Sequence, residues 1–491
     1  MQADESNDGN LYWARLGIVM LAAILLVRIV SLWFNNTELF FDEAQYWAWG
    51  KEPAFGYFSK PPFLAWLIGA TTAVLGDSEF AIRFASPVLH TATAAVIGLV
   101  ASRLFDARAG FWSALVYATL PAVSLSSTVI STDVPLLFFW SVAILFFLRL
   151  EERDDIMSAA MLALAIGFGL LTKYAMIYVL PCAIVYNLLV TERPHLLGRP
   201  KFWMAIAGAF VIFLPNVIWN MQNSFATVGH TGENIGWAGG LHPVALAEFL
   251  GSQFGVMGPL LFGIFLAAIV RLPREGINRQ QVFLLSFSVP ILAIICFQAL
   301  MSKAYANWAA LTYVAATILV ADLMLNRIPQ WWLRVSMTLH AVVFAVLAIA
   351  VAFSQSGQLP LPEGVNPFVR MQGSREIAAT IRKAADEGGY KAILSDNRRG
   401  VSLMTYYLRD TALPVQAWFE GGKPGDHFEM SRPWQNEKLE PVLYFTWSRN
   451  PADVVSSFID AELVSETAIR QGEIQRIWLY RLAGYRGSNS Q

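Results

Sequence analysis

Cysteine and charge are both scarce in this sequence. Only two cysteines occur, Cys182 and Cys296, each inside an apolar run, so no disulfide framework is available. Charged residues make up 14% of the chain and hydrophobic residues 56%, which argues against a soluble globular protein. Because the formal net charge is −1 and no basic stretch occurs, the chain has no electrostatic means of binding a nucleic acid, and we exclude that class of partner.

Sequence signatures of nucleotide-dependent enzymes are missing as well. The chain has no P-loop, no dinucleotide-type glycine-rich turn after a strand, and no Asp-x-Asp pair of the kind that holds a nucleotide sugar through a metal. A signal peptide is not predicted, because residues 1–10 are acidic and no small-residue cleavage site follows the first apolar stretch. We expect that stretch to remain as a helix.

The charge that is present is concentrated at one end. Of the 71 Asp, Glu, Lys and Arg residues, 32 follow Phe353. We therefore predict a transmembrane domain at 1–353 and a water-exposed domain at 354–491. In the second domain, residue patterns predict one helix and three strands, which indicates a compact α/β fold. These elements lie at 374–385, 391–394, 442–446 and 474–480.

The first 353 residues predict an all-α polytopic membrane fold. A spanning helix needs about 20 mostly apolar residues, because each residue rises about 1.5 Å and the hydrocarbon core is about 30 Å thick. The stretch 61–76 is shorter and starts with Pro61 and Pro62, so it predicts an interfacial helix instead. Eleven segments satisfy the length criterion, near 12–34, 80–103, 109–126, 132–150, 156–172, 174–190, 202–219, 246–270, 281–300, 305–325 and 333–353.

Lysine and arginine in the short loops predict the orientation, because positive residues are retained on the cytoplasmic side. With the N-terminus inside, twelve of them fall in cytoplasmic loops and five in outer loops, and eleven crossings leave the C-terminal domain on the outer face. The twelve are Arg103, Arg108, Arg149, Arg153, Arg193, Arg199, Lys201, Arg271, Arg274, Arg279, Arg327 and Arg334; the five are Lys51, Lys60, Arg83, Lys173 and Lys303.

Several charged side chains on the predicted outer face would be costly so near a bilayer, and they therefore indicate a function. They come from separate places in the chain, and we expect them to converge in one site. An enzyme on this face has no cytosolic nucleotides, so an activated substrate would arrive attached to a lipid. The residues are Asp42, Glu43, Lys60, Asp133, Lys173 and Lys303.

Asp42 and Glu43 lie in an aromatic-rich stretch, 40–50, that suits a helix in the membrane interface. A carboxylate held at the membrane surface could take a proton from an acceptor hydroxyl, as a general base does. The alternative is structural: Asp42 caps this helix, and Glu43 interacts with its positive end.

The three outer lysines suit a phosphate group. Lys60 precedes a proline pair that can open a helix, so its ammonium and free backbone amides could both face an anion; a lysine snorkelling to the interface is the alternative. Lys173 interrupts a long apolar region, and Lys303 occupies a similar outer turn. Lysines act as point charges for a phosphate, whereas arginine would be the choice for bidentate docking.

Further polar residues could complete such a site or serve the fold. Asp133, between Thr132 and Pro135, also matches an ordinary helix start. Glu248 and Gln253, at the outer end of the eighth predicted span, could line the same cavity.

Metal binding is an alternative use of the acidic residues. Asp42, Glu43 and Asp133 could supply oxygen ligands to a hard cation. The loop before the eighth span contributes two histidines and a carboxylate, but their spacing matches no metal motif and predicts a solvated loop. These loop residues are His230, Glu233 and His242.

In combination, the segments resemble the polytopic lipid-dependent glycosyltransferases, which include the aminoarabinose transferases of lipid A and the protein O-mannosyltransferases. The resemblance covers about the first 310 residues, and 229–234 and 248–255 are most similar to the bacterial subgroup with the lipopolysaccharide-core galacturonosyltransferases. The blocks are Asp42-Glu43, Tyr57-Phe58-Ser59-Lys60-Pro61-Pro62, Thr132-Asp133 with Phe138-Phe139-Trp140, Leu171-Thr172-Lys173 and Ser302-Lys303.

The resemblance implies a GT-C type fold with Asp42, beside Glu43, as the catalytic base. In the aminoarabinose transferases a glutamate precedes the lysine that matches Lys60 and helps to bind a metal. Ser59 stands at that position here, so no cofactor is assigned, and a divalent metal is left open. The implied donor phosphate ligands are Lys60, Lys173 and Lys303, and the implied substrate-binding residues are Tyr57, Asp133, Glu248, Gln253 and Asn307.

We therefore predict a multi-pass glycosyltransferase of a bacterial inner membrane, with its active site and C-terminal domain on the periplasmic side. It would move one sugar from a polyprenyl phosphate to a hydroxyl of an envelope glycolipid, lipopolysaccharide core or lipid A, with inversion. A protein O-mannosyltransferase-like enzyme is one alternative. A lipid-linked sugar flippase or transporter is the other, although such proteins usually contain repeated halves and none is visible here.

Overall fold

The computed structural model describes residues 2–190, 196–237, 239–355, 366, 368–434, 439–471 and 473–486. Up to Phe353 the described elements are helical. They are α1 (Gln2–Trp33), α2 (Phe41–Lys51), α3 (Phe63–Leu75), α4 (Glu79–Arg83), α5 (Ala85–Leu104), α6 (Ala107–Thr119), α7 (Pro121–Ser126), α8 (Asp133–Arg153), α9 (Ile156–Thr172), α10 (Val179–Leu189), α11 (Pro200–Gln222), α12 (Ala226–Ile235), α13 (Pro243–Met257), α14 (Pro259–Glu275), α15 (Arg279–Ser286), α16 (Val289–Met301), α17 (Thr312–Asn326) and α18 (Gln330–Ala350), with short 3-10 helices at Tyr174–Tyr178, Leu196–Gly198, Ala306–Ala309 and Val351–Phe353.

The C-terminal part alternates helices with strands. After a 3-10 turn at Val369–Met371, its elements are α19 (Ser374–Gly388), β1 (Ala392–Ser395), α20 (Arg398–Tyr407), β2 (Val415–Ala417), α21 (His427–Ser431), β3 (Val442–Thr446), α22 (Ala452–Val455), β4 (Phe458–Gln471) and β5 (Glu473–Tyr485).

The chain divides into two compact units. The first contains Met1–Trp33, Lys60–Leu64 and Arg83–Ile349, and the second contains Phe34–Ser59, Ala65–Ile82 and Ala350–Gln491. The C-terminal segment therefore shares its unit with two earlier segments, and the two-domain division at residue 353 stays a sequence-based prediction.

The first unit is a bundle of apolar helices around one continuous core. α9 packs against α8 and α11, and α5 packs against α6 and α8. α17 is buried on all sides from Thr312 to Leu325, as expected of a helix whose side chains are mostly apolar all round.

The number of membrane spans is not confirmed. Six predicted spans coincide with helical stretches that are long and apolar enough to cross a bilayer. Four others lie on shorter helices, of which the longest, α9, would be about 26 Å from end to end. The six stretches are Asp8–Trp33, Glu79–Leu104, Asp133–Arg153, Pro200–Gln222, Arg279–Met301 and Gln330–Phe353.

The predicted span 246–270 is broken in the structure. The chain bends by 118° between α13 and α14, with Gly258 at the break at φ 93°. A Cβ on this glycine would lie 2.7 Å from Nε2 of His340, so both the backbone conformation and the close neighbour require glycine. Pro259 then opens α14, where its missing N–H costs nothing.

The second unit contains a five-stranded sheet in the order β2-β1-β3-β5-β4. β2, β1 and β3 are parallel, with Val415, Ile393 and Leu443 side by side, while β3–β5 and β5–β4 are antiparallel. β1 and β3 are buried along their whole length. This burial explains why their short apolar runs were recognisable in the sequence.

The predicted helix at 374–385 and all three predicted C-terminal strands are present, as α19, β1, β3 and β5. β2 and β4 were not predicted. β2 has only three residues, and β4, at the edge of the sheet, exposes most of its described side chains, apolar as well as polar. The predicted helix at 61–76 is also present, as α3, and its backbone touches α2, since a Cβ on Gly50 would lie 2.8 Å from the carbonyl oxygen of Ala65.

Candidate active site

Asp133, Lys173 and Asn307 come together in the first unit. Asp133 is the first residue of α8, Lys173 follows α9, and Asn307 lies in the 3-10 turn Ala306–Ala309. Nζ of Lys173 lies 2.6 Å from Oδ1 of Asp133, and Nδ2 of Asn307 donates to Oδ2 at 2.5 Å. The carboxylate thus joins three segments that are far apart in the chain. The sequence predicted that Asp133 and Lys173 would meet, whereas Asn307 was implied only by the resemblance, and the role of all three in substrate binding stays a prediction.

The alternative role of this segment, capping of α8, is wrong. Thr132 occupies the N-cap position, but its side chain accepts no hydrogen bond from the helix, and both oxygens of Asp133 are engaged elsewhere. The side chains of Asp133 and Lys173 are only 12% and 21% exposed. Charges so far removed from water need a partner, which each finds in the other. An ammonium group has three N–H donors, so Lys173 can hold Asp133 and still donate to an anion.

Gln253 supports this cluster from within the protein. Its side chain is fully buried; Nε2 donates to the carbonyl of Phe249 at 3.0 Å and lies 3.3 Å from that of Ala306, while Oε1 accepts from the hydroxyl of Tyr313. These contacts hold the turn that carries Asn307. Gln253 therefore acts on the fold of the site, and substrate contact by it stays a prediction.

The remaining candidates of the first unit are less constrained. Lys60 is half-buried and immediately precedes the proline pair that leads into α3. Lys303 and Glu248 are exposed, and Nζ of Lys303 lies 5.7 Å from the ring centroid of Tyr305. Convergence of the three lysines on one phosphate stays a prediction.

In the second unit, Glu43 takes the role at the helix start that the sequence suggested for Asp42. The N-cap of α2 is Phe40, whose N–H donates to Oε2 of Glu43 at 2.9 Å. Glu43 is 2% exposed and completes the helix start, so the expectation that Asp42 caps this helix is wrong. Because Glu43 completes the helix start, the carboxylate of Asp42 is not used in capping α2.

Asp42 is paired with Arg398, a residue that the sequence analysis missed. One terminal nitrogen of the guanidinium donates to Oδ1 of Asp42, and Nε donates to Oε1 of Gln45 at 2.6 Å. Arg398 opens α20, directly after β1. The sequence did contain a signal for Arg398. Functional side chains often follow the carboxyl ends of parallel strands. The residues after the predicted strand 391–394 are Asp396-Asn397-Arg398-Arg399.

Tyr57 is part of the packing around α2. Its ring stacks on that of Trp49, with the centroids 4.5 Å apart and the planes 1° from parallel. Its hydroxyl lies 2.8 Å from the carbonyl oxygen of Trp49. Burial raises the pKa of Tyr57 to about 12, so it stays protonated. Contact of Tyr57 with substrate stays a prediction.

His427 meets the same aromatic pair edge-on, with ring centroids 5.1 Å from Trp49 and 5.7 Å from Tyr57. Burial lowers the pKa of His427 to about 3, and the cations Arg432 and Arg398 lower it further. The ring is therefore neutral at physiological pH.

Metal ligation has no geometric support among the residues that the structure describes, because no three His, Cys, Asp or Glu side chains are grouped as a metal site there. His230 contacts Asn234 within α12 instead, at 3.1 Å.

Known proteins match this architecture over most of the chain. Residues 59–219 match the family described as dolichyl-phosphate-mannose-protein mannosyltransferase. The lipid A galacturonosyltransferase RgtD of Rhizobium johnstonii is 35% identical over 434 residues, which is 88% of this chain and 91% of that protein. The undecaprenyl phosphate-alpha-4-amino-4-deoxy-L-arabinose arabinosyl transferase of Pseudomonas savastanoi pv. phaseolicola is 28% identical over 41% of this chain and 40% of its own.

Among solved structures, ArnT from Cupriavidus metallidurans bound to undecaprenyl phosphate has a TM-score of 0.67 at 18% identity, covering 96% of this chain and 99% of that one. The predicted GT-C type fold is confirmed. The named relatives are glycosyltransferases, so the prediction of a membrane-embedded enzyme is confirmed too, and the flippase alternative is not supported. Since RgtD is matched over nearly its whole length, the chain belongs to the family of polytopic lipid-dependent membrane glycosyltransferases that includes the lipid A galacturonosyltransferases.

Proposed function

We propose that this enzyme transfers one sugar from a polyprenyl phosphate to a hydroxyl of lipid A or the lipopolysaccharide core. The observation that carries the proposal is the 35% identity to a lipid A galacturonosyltransferase over 91% of that protein. The donor class is supported by the relative named for an undecaprenyl phosphate sugar and by the shared fold with ArnT, which binds undecaprenyl phosphate.

In the proposed reaction, Asp42 accepts the proton of the acceptor hydroxyl as its oxygen attacks the anomeric carbon of the sugar. The bond from that carbon to the phosphate oxygen breaks, polyprenyl phosphate leaves, and the configuration inverts. Asp42 suits the base role because Glu43 is used to complete the helix start, whereas Oδ2 of Asp42 has no hydrogen-bond partner among the described residues.

Lys60, Lys173 and Lys303 stabilise the negative charge on the leaving phosphate, with Asp133 and Asn307 holding Lys173 in place. The contact that supports this part is the Lys173–Asp133 pair, whose charged atoms lie 2.6 Å apart and whose side chains are 21% and 12% exposed. Preorganised cations are the larger contribution to catalysis when charge develops away from water. The active site and the C-terminal segment face the periplasm of a bacterial inner membrane, in agreement with the distribution of lysine and arginine.

Mass spectrometry of lipid A and core oligosaccharide, from cells with and without this protein, tests the proposal. We expect loss of one defined sugar residue in its absence. In vitro, Asp42→Asn should lower transfer by about 100- to 10,000-fold while the protein still accumulates in the membrane. Asp386→Asn, at an exposed position of α19, is the matched control and should be as active as the parent enzyme.

Near-normal turnover of the Asp42→Asn variant would remove Asp42 from the mechanism. Unchanged envelope glycans together with a labelled polypeptide would replace the acceptor by a protein hydroxyl, as in the family matched by 59–219.

A further inference from the structure

The guanidinium of Arg398 joins the C-terminal α/β segment to the proposed base within the second unit. It bonds to two side chains on the first turns of α2, Asp42 and Gln45, and its central carbon lies 5.0 Å from the ring centroid of Phe41. Three contacts from consecutive parts of one helix turn restrict both the position and the plane of the guanidinium.

Arg398 is itself mounted on rigid structure. It is the first residue of α20, whose start is capped by Asn397, and the strand before it lies in the middle of the parallel part of the sheet. Its own carbonyl accepts from the hydroxyl of Ser402 at 2.7 Å. A side chain that extends from such a rigid backbone can hold a catalytic group in one position.

The contacts leave two polar atoms of the cluster without a hydrogen-bond partner among the described residues. Arg398 donates to Oδ1 of Asp42, so Oδ2 is left for a proton from another group. Because an arginine can only donate, the atom of Gln45 that it contacts must be the amide oxygen, which leaves Nε2 as the free donor. Gln45 is fully buried, yet Nε2 has no hydrogen-bond partner among the described residues. A buried donor without a partner is costly, and a bound hydroxyl or oxygen of a substrate would satisfy it.

We propose that Arg398 is a positioning residue for the transfer reaction: it orients Asp42 so that Oδ2 faces the acceptor hydroxyl, and it orients Gln45 so that Nε2 donates to the same substrate. This inference rests on the proposed role of Asp42 as the base. The C-terminal α/β segment then contributes directly to the reaction.

A purely structural role would predict a different result. The side chains of Asp42 and Arg398 are each about one-third exposed, 33% and 32%, and ion pairs of that exposure contribute little to stability. A misplaced base, in contrast, slows the chemical step by up to about 100-fold.

The test compares Arg398→Gln, Arg398→Lys and Arg398→Ala in the purified full-length enzyme. We expect Arg398→Gln to lower kcat by about 10- to 100-fold with KM values for donor and acceptor within about 2-fold, at an unchanged unfolding temperature. Arg398→Lys should keep part of the activity, because its ammonium group can replace one of the two hydrogen bonds that Arg398 donates to Asp42 and Gln45. Millimolar guanidinium chloride should reactivate Arg398→Ala, whereas sodium chloride of equal ionic strength should not.

Arg382→Gln is the matched control. Arg382 forms a two-pronged pair with Asp410 on the same α/β segment, at 2.7 Å through each nitrogen, and touches no proposed site residue. Its replacement should leave kcat unchanged.

An Arg398→Gln variant with the parent kcat would overturn the inference, as would a rise in KM alone or a loss of activity that only follows a lower unfolding temperature. Asp42→Asn separates this result from the proposed function. If Asp42→Asn is inactive while Arg398→Gln is normal, only the inference fails; if Asp42→Asn is active, the base assignment fails whatever Arg398 does.

Discussion

At the scale of single residues, the site depends on carboxylates whose partners determine their use. Glu43 and Asp42 are neighbours in the chain, but one completes the start of α2 and the other faces a cation. Asp133 has the local sequence of a helix cap and instead links Lys173 to Asn307. Residue type and helix position therefore identify candidates, and the partner decides between structural and chemical roles.

Removing Lys173 should be more harmful to the fold than removing it together with its partner. In Lys173→Met, Asp133 keeps its charge in a poorly hydrated place, and we expect the free energy of unfolding to fall by about 2 kcal/mol. The double variant Lys173→Met/Asp133→Asn should recover most of that stability but no transfer activity. Unfolding in detergent micelles and a transfer assay measure the two effects.

The exposed pair Arg382–Asp410 serves as the control, with a loss below about 1 kcal/mol on removal of one partner. A double variant that is less stable than Lys173→Met would show that the pair does not account for the effect.

At the scale of elements, α21 packs through His427 against the aromatic side chains Trp49 and Tyr57. An unfolded histidine titrates near pH 6.5, whereas burial, Arg432 and Arg398 lower the pKa of His427 to about 3 in the folded protein. The unfolded chain therefore binds the proton first. The stability that the neutral, buried His427 contributes is therefore complete above about pH 6.5 and is lost as the pH falls towards 3.

We expect the free energy of unfolding to fall by about 2 kcal/mol between pH 7.5 and pH 5 because of His427. Thermal unfolding of the parent enzyme and of His427→Phe over that pH range measures it. The variant keeps an aromatic ring but cannot titrate, so its stability should depend less on pH. Equal pH dependence of the two proteins would contradict the assignment.

At the scale of the whole molecule, the parity of the crossings decides where the C-terminal segment lies. Within the part of the chain that the structure describes, six helical stretches are long and apolar enough to span, or seven with the bent pair α13–α14, and several shorter apolar helices accompany them. An even number would return the C-terminus to the side of the N-terminus, and an odd number, such as the predicted eleven, would not.

Alkaline phosphatase fusions, which are active only outside the cytoplasm, measure this orientation. We expect activity for fusions at Gly240 and after Gln491, and none for a fusion at Gly276, between α14 and α15. An inactive C-terminal fusion that is still produced in full would contradict the periplasmic placement and the proposed periplasmic acceptor.

The sequence by itself determined what depends on neighbours along the chain. Apolar length marked the six long apolar helical stretches, short apolar runs marked β1 and β3, and the residue pattern of 474–480 marked part of β5. It also selected Asp133 and Lys173, because charged side chains are costly in such surroundings, whereas Asn307 was implied only by the family resemblance. The bend at Gly258 was missed although Gly258-Pro259 is a local turn signal, and the strand β2 was missed because three residues carry too little pattern.

Only the tertiary structure decided which of these side chains meet. Arg398 reaches Asp42 across 356 positions, and Asn307 reaches Asp133 across 174. Such pairs form because packing of distant helices and strands brings donors and acceptors within hydrogen-bond distance. No periodicity of the chain records that distance, which is why the sequence identified the carboxylate of Asp42 and missed the guanidinium that orients it.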